Sequence, residues 1–422
     1  MMSARNITAF LADNFILALF AISGPVVALA PKGMTVLVIL MALFAGASLV
    51  ARREAIHLPW NGLTKTLLAF LVWLGLSILW SSDMSKSVGK FLQIIGLMAT
   101  LPPLWSYFVK FDKFDKFHRR ARLLAGLLWV NFILAWGLAS FIIFNPGEFV
   151  TLINALKAVS HESLGLAIQM EYWVRVSNRG VMILLVLSVL AVGLLPKKYN
   201  LCLAAAGVVI FFILLNSQNQ SALLAFILAG LFYLQNYLLP RYTTRFFYTL
   251  IALVAIFIVP FSIANYHYGW VQMIFPDTLI AQASILQRVD LYYVYAMDFL
   301  NHPVLGQGLN SAAAPDFGNQ AFNLYDSKNP PHHPHNIFLQ FLFELGIIGL
   351  GIAILLIFKT VKYQSFLVQR GFRDGHVVIL VSVALFANYF AYNPFQSWLI
   401  ASLIFSFVVL VISLVLKNAI TK

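Results

Sequence analysis

Three of the nine histidines fall within four residues, at His332, His333 and His335, and Asn336 follows before the chain turns apolar at Ile337-Phe338-Leu339. A polar segment that gives way so abruptly to an apolar run belongs at a membrane surface. Imidazole titrates near pH ~6.5, so a histidine held there can act as a base toward a substrate arriving from water. His335 has the sharpest claim, because it stands two residues before the apolar run and so at a fixed height. The plain alternative is a set of solvated loop histidines. Zinc is a third reading, weakened because Pro334 stiffens the segment and the adjacent His332 and His333 point poorly at one ion.

Cations come next. Arg288 and Arg179 are the arginines best placed to be held at the same membrane face, and a guanidinium presents a rigid fork of donors that fits phosphate oxygens. Snorkelling, or for Arg288 a local pair with Asp290, would explain them without a ligand. Arg175 has a weaker claim. The turn Asn216-Ser217-Gln218-Asn219-Gln220-Ser221 is wholly polar and uncharged; Gln218 and Gln220 could hydrogen-bond a sugar or phosphate, or the turn could simply be wet. Asn336, Gln340 and Glu344 recur every four residues and share one stripe of the following helix, where Glu344 is expected to anchor that helix to a neighbour. No glycine loop with a phosphate-binding lysine occurs, and no outward Asp-x-Asp to hold a metal on a sugar nucleotide. An outward-facing enzyme has no ATP supply, so the substrate is expected to arrive already activated and no cofactor is expected.

The elements that must position these groups are membrane spans. Of 422 residues 61% are hydrophobic and 10% charged, against about 25% charged in soluble domains. Spans of about 20 apolar residues centre near Ala18, Leu43, Trp73, Leu97, Phe132, Leu187, Val208, Ala229, Val254, Leu345, Leu385 and Phe407, twelve in all. The first is expected to be a retained span rather than a cleaved signal. With the N-terminus in the cytoplasm, the inward loops hold 20 lysines and arginines and the outward ones 8, so both termini come out cytoplasmic. The net charge of +13 is then a matter of topology and not of nucleic-acid binding. Cys202 is alone, which excludes an internal disulfide. Two outward segments exceed simple turns, 145–179 and 265–336. The longer opens on the interfacial aromatics Tyr266, Tyr268 and Trp270, then carries a helix from a cap at Ser284 to about Leu300, ended by Pro303, Gly306 and Gly308. The chain thus divides into residues 1–264, nine spans; 265–336, a loop subdomain; and 337–422, three spans.

Several of these residues together resemble the O-antigen ligase and polymerase superfamily of bacterial envelopes. The matching pieces are Trp80-Ser81-Ser82-Asp83 with Ser87, the polar turn Ser217 to Ala222, Arg288, Pro303-Val304-Leu305-Gly306-Gln307-Gly308, and His335-Asn336 with Glu344-Leu345-Gly346. The resemblance implies an all-α polytopic, GT-C-like fold of about twelve transmembrane helices in the bacterial inner membrane, with one long periplasmic loop. It also implies a metal-independent transfer of a glycan from undecaprenyl diphosphate. His335 would deprotonate the acceptor hydroxyl beside Asn336, and Arg288 would grip the diphosphate. One position departs: many members carry an arginine in the polar turn where this chain has Gln220, and Arg179 is expected to supply that charge, helped by Gln218 and Gln220. The expected acceptor is lipid A-core, in the setting of membrane lipids. The alternatives are a polymerase that joins lipid-linked repeats, or a flippase of lipid-linked sugars, which would carry paired repeats and charges deep in its spans.

Overall fold

The computed structural model describes residues 4–110, 117–155, 166–192, 200–217, 219–239, 242–274, 285–313, 333–369 and 392–420. Every regular element among them is helical: α1 (Ala4–Leu29), α2 (Met34–Ala51), α3 (Gly62–Ser77), α4 (Met84–Met98), α5 (Leu101–Val109), α6 (Phe117–Phe144), α7 (Pro146–Ala155), α8 (Leu166–Val192), α9 (Asn200–Asn216), α10 (Gln220–Leu238), α11 (Thr243–Tyr268), α12 (Trp270–Ile274), α13 (Ile285–Asn301), α14 (Ile337–Gln369) and α15 (Ser397–Ile420). An all-helical outcome follows from the composition, since a spanning helix satisfies its own backbone polar groups in hydrocarbon.

Among the described residues six stretches are long and apolar enough to cross a bilayer: Ala4–Leu29, Pro31–Ala51, Gly62–Trp80, Met84–Val109, Thr244–Tyr268 and Ile337–Lys362. A seventh is added if Trp129–Phe144 and Pro146–Ala155, bent by 109° at the intervening residue, count as one span. The protein is a multi-pass membrane protein, but twelve full spans are not what the described residues contain. Ala205–Asn216, Gln220–Phe232 and Ser397–Val409 are apolar but short. The expected centre near Leu385 lies outside the described residues, as does the cap expected at Ser284.

A continuous hydrophobic core runs through α1, α2, α5, α6, α8 and α15, with Phe20, Met41, Tyr107, Leu184 and Phe405 fully enclosed. One ionic group is set into it. Asp13 of α1, buried, pairs with Arg52 at 2.6 Å and accepts from Ser48 at 2.7 Å and the Tyr107 hydroxyl at 3.0 Å. This knot joins α1 to α2 and α5. A smaller cluster of Leu291, Val294, Tyr295, Ala312 and Phe343 joins α13 to the connection after it and to α14.

That connection is held by backbone. Gln307 N donates to Phe343 O at 2.8 Å, Gly308 N to Glu344 O at 2.8 Å, and Ile347 N to Pro303 O at 2.9 Å. α14 is broken to receive it: Gly346 has φ 66 and ψ −170, and a Cβ there would lie 2.1 Å from Val304 O. Gly306 also has positive φ, and its Cβ would meet Gly346 N at 2.5 Å. Two glycines let two backbones touch. On the far side, Ser81 and Ser87 donate to Leu309 O at 3.0 and 2.6 Å. Glu344, buried, accepts from Asn310 N at 2.9 Å, Ala312 N at 3.3 Å and Gln340 Nε2 at 2.5 Å. The neighbour that Glu344 anchors is therefore the loop after α13, not another spanning helix. Trp73 Nε1 of α3 donates to Leu345 O at 3.1 Å, which closes α3 against the same break.

Candidate functional site

The site is assembled at the mouth of α14. Asn336 caps that helix, its Oδ1 accepting from Phe338 N at 3.0 Å and Leu339 N at 3.2 Å, so that oxygen is committed to the backbone. His335, one residue earlier, has φ 51, in the left-handed region that L residues with a Cβ seldom adopt. Its N–H donates to His333 Nδ1 at 3.1 Å, which makes His333 Nδ1 an acceptor, and the two rings lie 4.0 Å apart between centroids. The His335 carbonyl accepts from the Tyr292 hydroxyl at 3.1 Å.

Tyr292 stands four residues after Arg288 on α13, one turn along the same face. Burial pushes the Tyr292 phenol above its usual range, against the opposing Arg288 charge and the Asn336 side chain, so the hydroxyl stays a donor. α13 thus brings Arg288 and His335 to one place. Arg288 and Asp290, two apart, point to different sides of the helix, and no ion pair joins them among the described residues.

Arg179 arrives from α8. The Asn219 side chain caps α10 by accepting from Ala222 N at 3.0 Å, and its Nδ2 donates to Asn178 O at 2.6 Å. The polar turn is thereby tied to the residue next to Arg179. Gly180 has no room for a side chain, since a Cβ would stand 2.4 Å from Val27 O of α1. Tyr392, in the turn before α15, lies within the electrostatic reach of both arginines. Burial raises its phenol, while the Arg179 charge, an Asn219 hydrogen bond and the Arg288 charge pull the other way. Arg175 is different: it is exposed and paired with Glu171 one turn earlier. Among the described residues neither Arg179 nor Arg288 has a carboxylate partner.

Of the residues singled out from sequence, His335, Asn336, Arg288 and Arg179 meet in this region. Gln220 is the exposed first residue of α10, and Gln218 and His332 lie outside the described residues. No group of three His, Cys, Asp or Glu side chains that could hold a metal occurs among the described residues. Sequence reasoning missed Tyr292, Tyr392 and the specific role of Asn219. The four-residue spacing from Arg288 would have signalled Tyr292; Tyr392 had no signal short of the fold.

Residues 205–354 match the sequence model of a family described as O-antigen ligase. Over this stretch, about a third of its length, the chain is similar to an O-antigen ligase family. The stretch holds Asn219, Arg288, His335, Asn336 and Glu344, while Arg179 and Tyr392 fall outside it. Among curated relatives, a Rickettsia conorii protein is 34% identical over 132 residues, which is 29% of this chain and 31% of that protein. A Rickettsia bellii protein is 26% identical over 223 residues, 51% of this chain and 52% of its own length. Both names give polysaccharide ligase as an inferred activity. The chain is matched over about a third to a half of the length of these relatives.

Proposed function

We propose that this protein is a membrane glycosyltransferase that moves a glycan from undecaprenyl diphosphate to lipid A-core, at the periplasmic face of the bacterial inner membrane. The observation that carries the reading is that Arg288 and Arg179, neither with a carboxylate partner among the described residues, both act electrostatically on Tyr392, while Tyr292, one helical turn from Arg288, holds the His335 carbonyl. Two such guanidiniums suit a diphosphate whose lipid tail stays in the bilayer. The family match over residues 205–354 and the relatives' names support ligation over transport.

In this reading the donor enters from the outer leaflet and its diphosphate docks on Arg288 and Arg179, with Tyr392 and Asn219 at hand. The acceptor hydroxyl gives its proton to His335 as its oxygen attacks the anomeric carbon. The bond from that carbon to the diphosphate oxygen breaks in the same displacement, inverting the centre, and undecaprenyl diphosphate leaves with its new charge neutralised by the arginines. Fixed cations in a partly dry site act where charge develops, which is the larger electrostatic contribution; a positioned base adds roughly 10²–10⁴-fold. The twelve-span topology, both termini in the cytoplasm and the three-part division at 264 and 336 belong to this proposal, supported by the 20-to-8 distribution of basic residues.

The test is a gel of lipopolysaccharide from a deletion strain carrying this chain or His335→Ala. Bare core in the variant, with full-length polymer left on undecaprenyl diphosphate, supports the ligase. Core capped by one repeat assigns a polymerase instead, and an unchanged ladder rejects both.

A further inference from the structure

His335 sits in a conformation that its own backbone resists. A left-handed residue with a Cβ costs about 1–2 kcal/mol and persists only where its surroundings hold it. Here three contacts do so. Asn336 fixes the chain after it by capping α14. His333 Nδ1 accepts its N–H, and the Tyr292 hydroxyl donates to its carbonyl. The first two are local to the loop. The third reaches across 43 residues, from a helix whose preceding turn carries Arg288. α13 is itself fixed below this point by the cluster of Leu291, Val294, Tyr295, Ala312 and Phe343, so Tyr292 is presented from a rigid element.

We infer that Tyr292 is a positioning residue for His335, and that α13 couples the grip on the donor's diphosphate to the placement of the base through the four-residue step from Arg288 to Tyr292. This rests on the reading of His335 as the base. A diphosphate drawn onto Arg288 orders the face of α13 that also holds the His335 carbonyl, so donor binding and base alignment are made by one element. The neighbouring Tyr293 provides the control. Its ring stacks on Tyr266 with centroids 3.9 Å apart and planes 8° from parallel, a contact that survives loss of its hydroxyl.

The experiment uses the full chain in lipid nanodiscs, with undecaprenyl-diphosphate glycan as donor and lipid A-core as acceptor, followed under single turnover. Tyr292→Phe should slow the transfer rate constant about tenfold, the scale of one lost hydrogen bond to a strained residue, while the amplitude and the donor KM stay within about twofold of wild type. Tyr293→Phe should match wild type. A substitution that merely unfolds part of the sample lowers the amplitude and leaves the rate constant, so that pattern overturns the inference, as does an effect confined to donor KM. A wild-type rate constant for Tyr292→Phe beside an inactive His335→Ala also overturns it and leaves the base reading intact. Activity retained in His335→Ala removes the base reading and the positioning role with it.

Discussion

An arginine at a membrane face is either matched by a carboxylate or available to an anion, and α8 holds one of each. Arg175 is exposed and paired with Glu171, an arrangement that contributes little to stability and nothing to binding. Arg179, one turn on, has no such partner among the described residues and acts on Tyr392 together with Arg288. Arg179→Ala should therefore raise the donor KM about tenfold or more, since a charge-assisted contact to phosphate contributes roughly 1.5–3 kcal/mol, while Arg175→Ala leaves it unchanged. Donor titration of the two purified variants decides this; equal effects would remove Arg179 from the site. The sequence places Arg179 ahead of Arg175 but does not show that Glu171 pairs with Arg175, which the structure adds: Glu171 is one turn from Arg175 and two from Arg179. His335 and Arg288 were legible as residue types. Tyr292 and Tyr392 were not, because a tyrosine in an apolar helix or turn looks like any interfacial aromatic until its hydroxyl is seen to face a partner.

At the scale of elements, the pieces resembling the family divide into those proposed to meet substrate and those that hold the loop. Ser81, Ser87, Gly306, Gly308, Glu344 and Gly346 all belong to the second group, since they bind one another. Short polar side chains and glycines at those places read from sequence as motif without a stated mechanism; their mechanism is the break in α14. A helix interrupted at Gly346 leaves backbone groups that must be satisfied, and the 303–308 segment satisfies them. Gly346→Ala would place a Cβ 2.1 Å from Val304 O at a φ that alanine resists. We expect a loss of at least about 2 kcal/mol, seen as a lower melting temperature and poorer yield in detergent, with activity falling because the loop no longer registers α13 over α14. Glu344→Gln tests the carboxylate separately: it keeps the shape but weakens acceptance from Asn310 N and Ala312 N, so melting should fall by less than for Gly346→Ala. An unchanged melting temperature for both would show that the loop is held elsewhere.

Across the whole molecule, stability and orientation rest on different charges. Asp13 lies inside the first apolar run, where an ionisable residue needs a partner, and Arg52, just past α2, supplies it with help from Tyr107 of α5. Span counting passed over Asp13, because a single acid hardly lowers the hydropathy of a 26-residue helix. Removing one member strands the other, so Asp13→Ala should destabilise by ~3 kcal/mol, less whatever water returns to the partly exposed Arg52, whereas Asp13→Leu with Arg52→Leu should recover much of that loss. Thermal unfolding in detergent gives the comparison. Orientation depends instead on the loops, where the proposed topology puts 20 basic residues on the retained side against 8. The chain offers a clean way to read it, because Cys202 is its only cysteine. In a Cys202→Ser background, Tyr268→Cys lies at the end of α11 nearest the loop carrying Arg288, with its side chain largely exposed. Arg53→Cys lies just past α2, beside the basic loop assigned to the cytoplasm. A membrane-impermeant maleimide should label the first in intact spheroplasts and the second only after permeabilisation. The reverse pattern would place the candidate site in the cytoplasm, where a lipid-linked glycan displayed on the outer leaflet could not reach Arg288, and the proposed reaction would fail on topology alone.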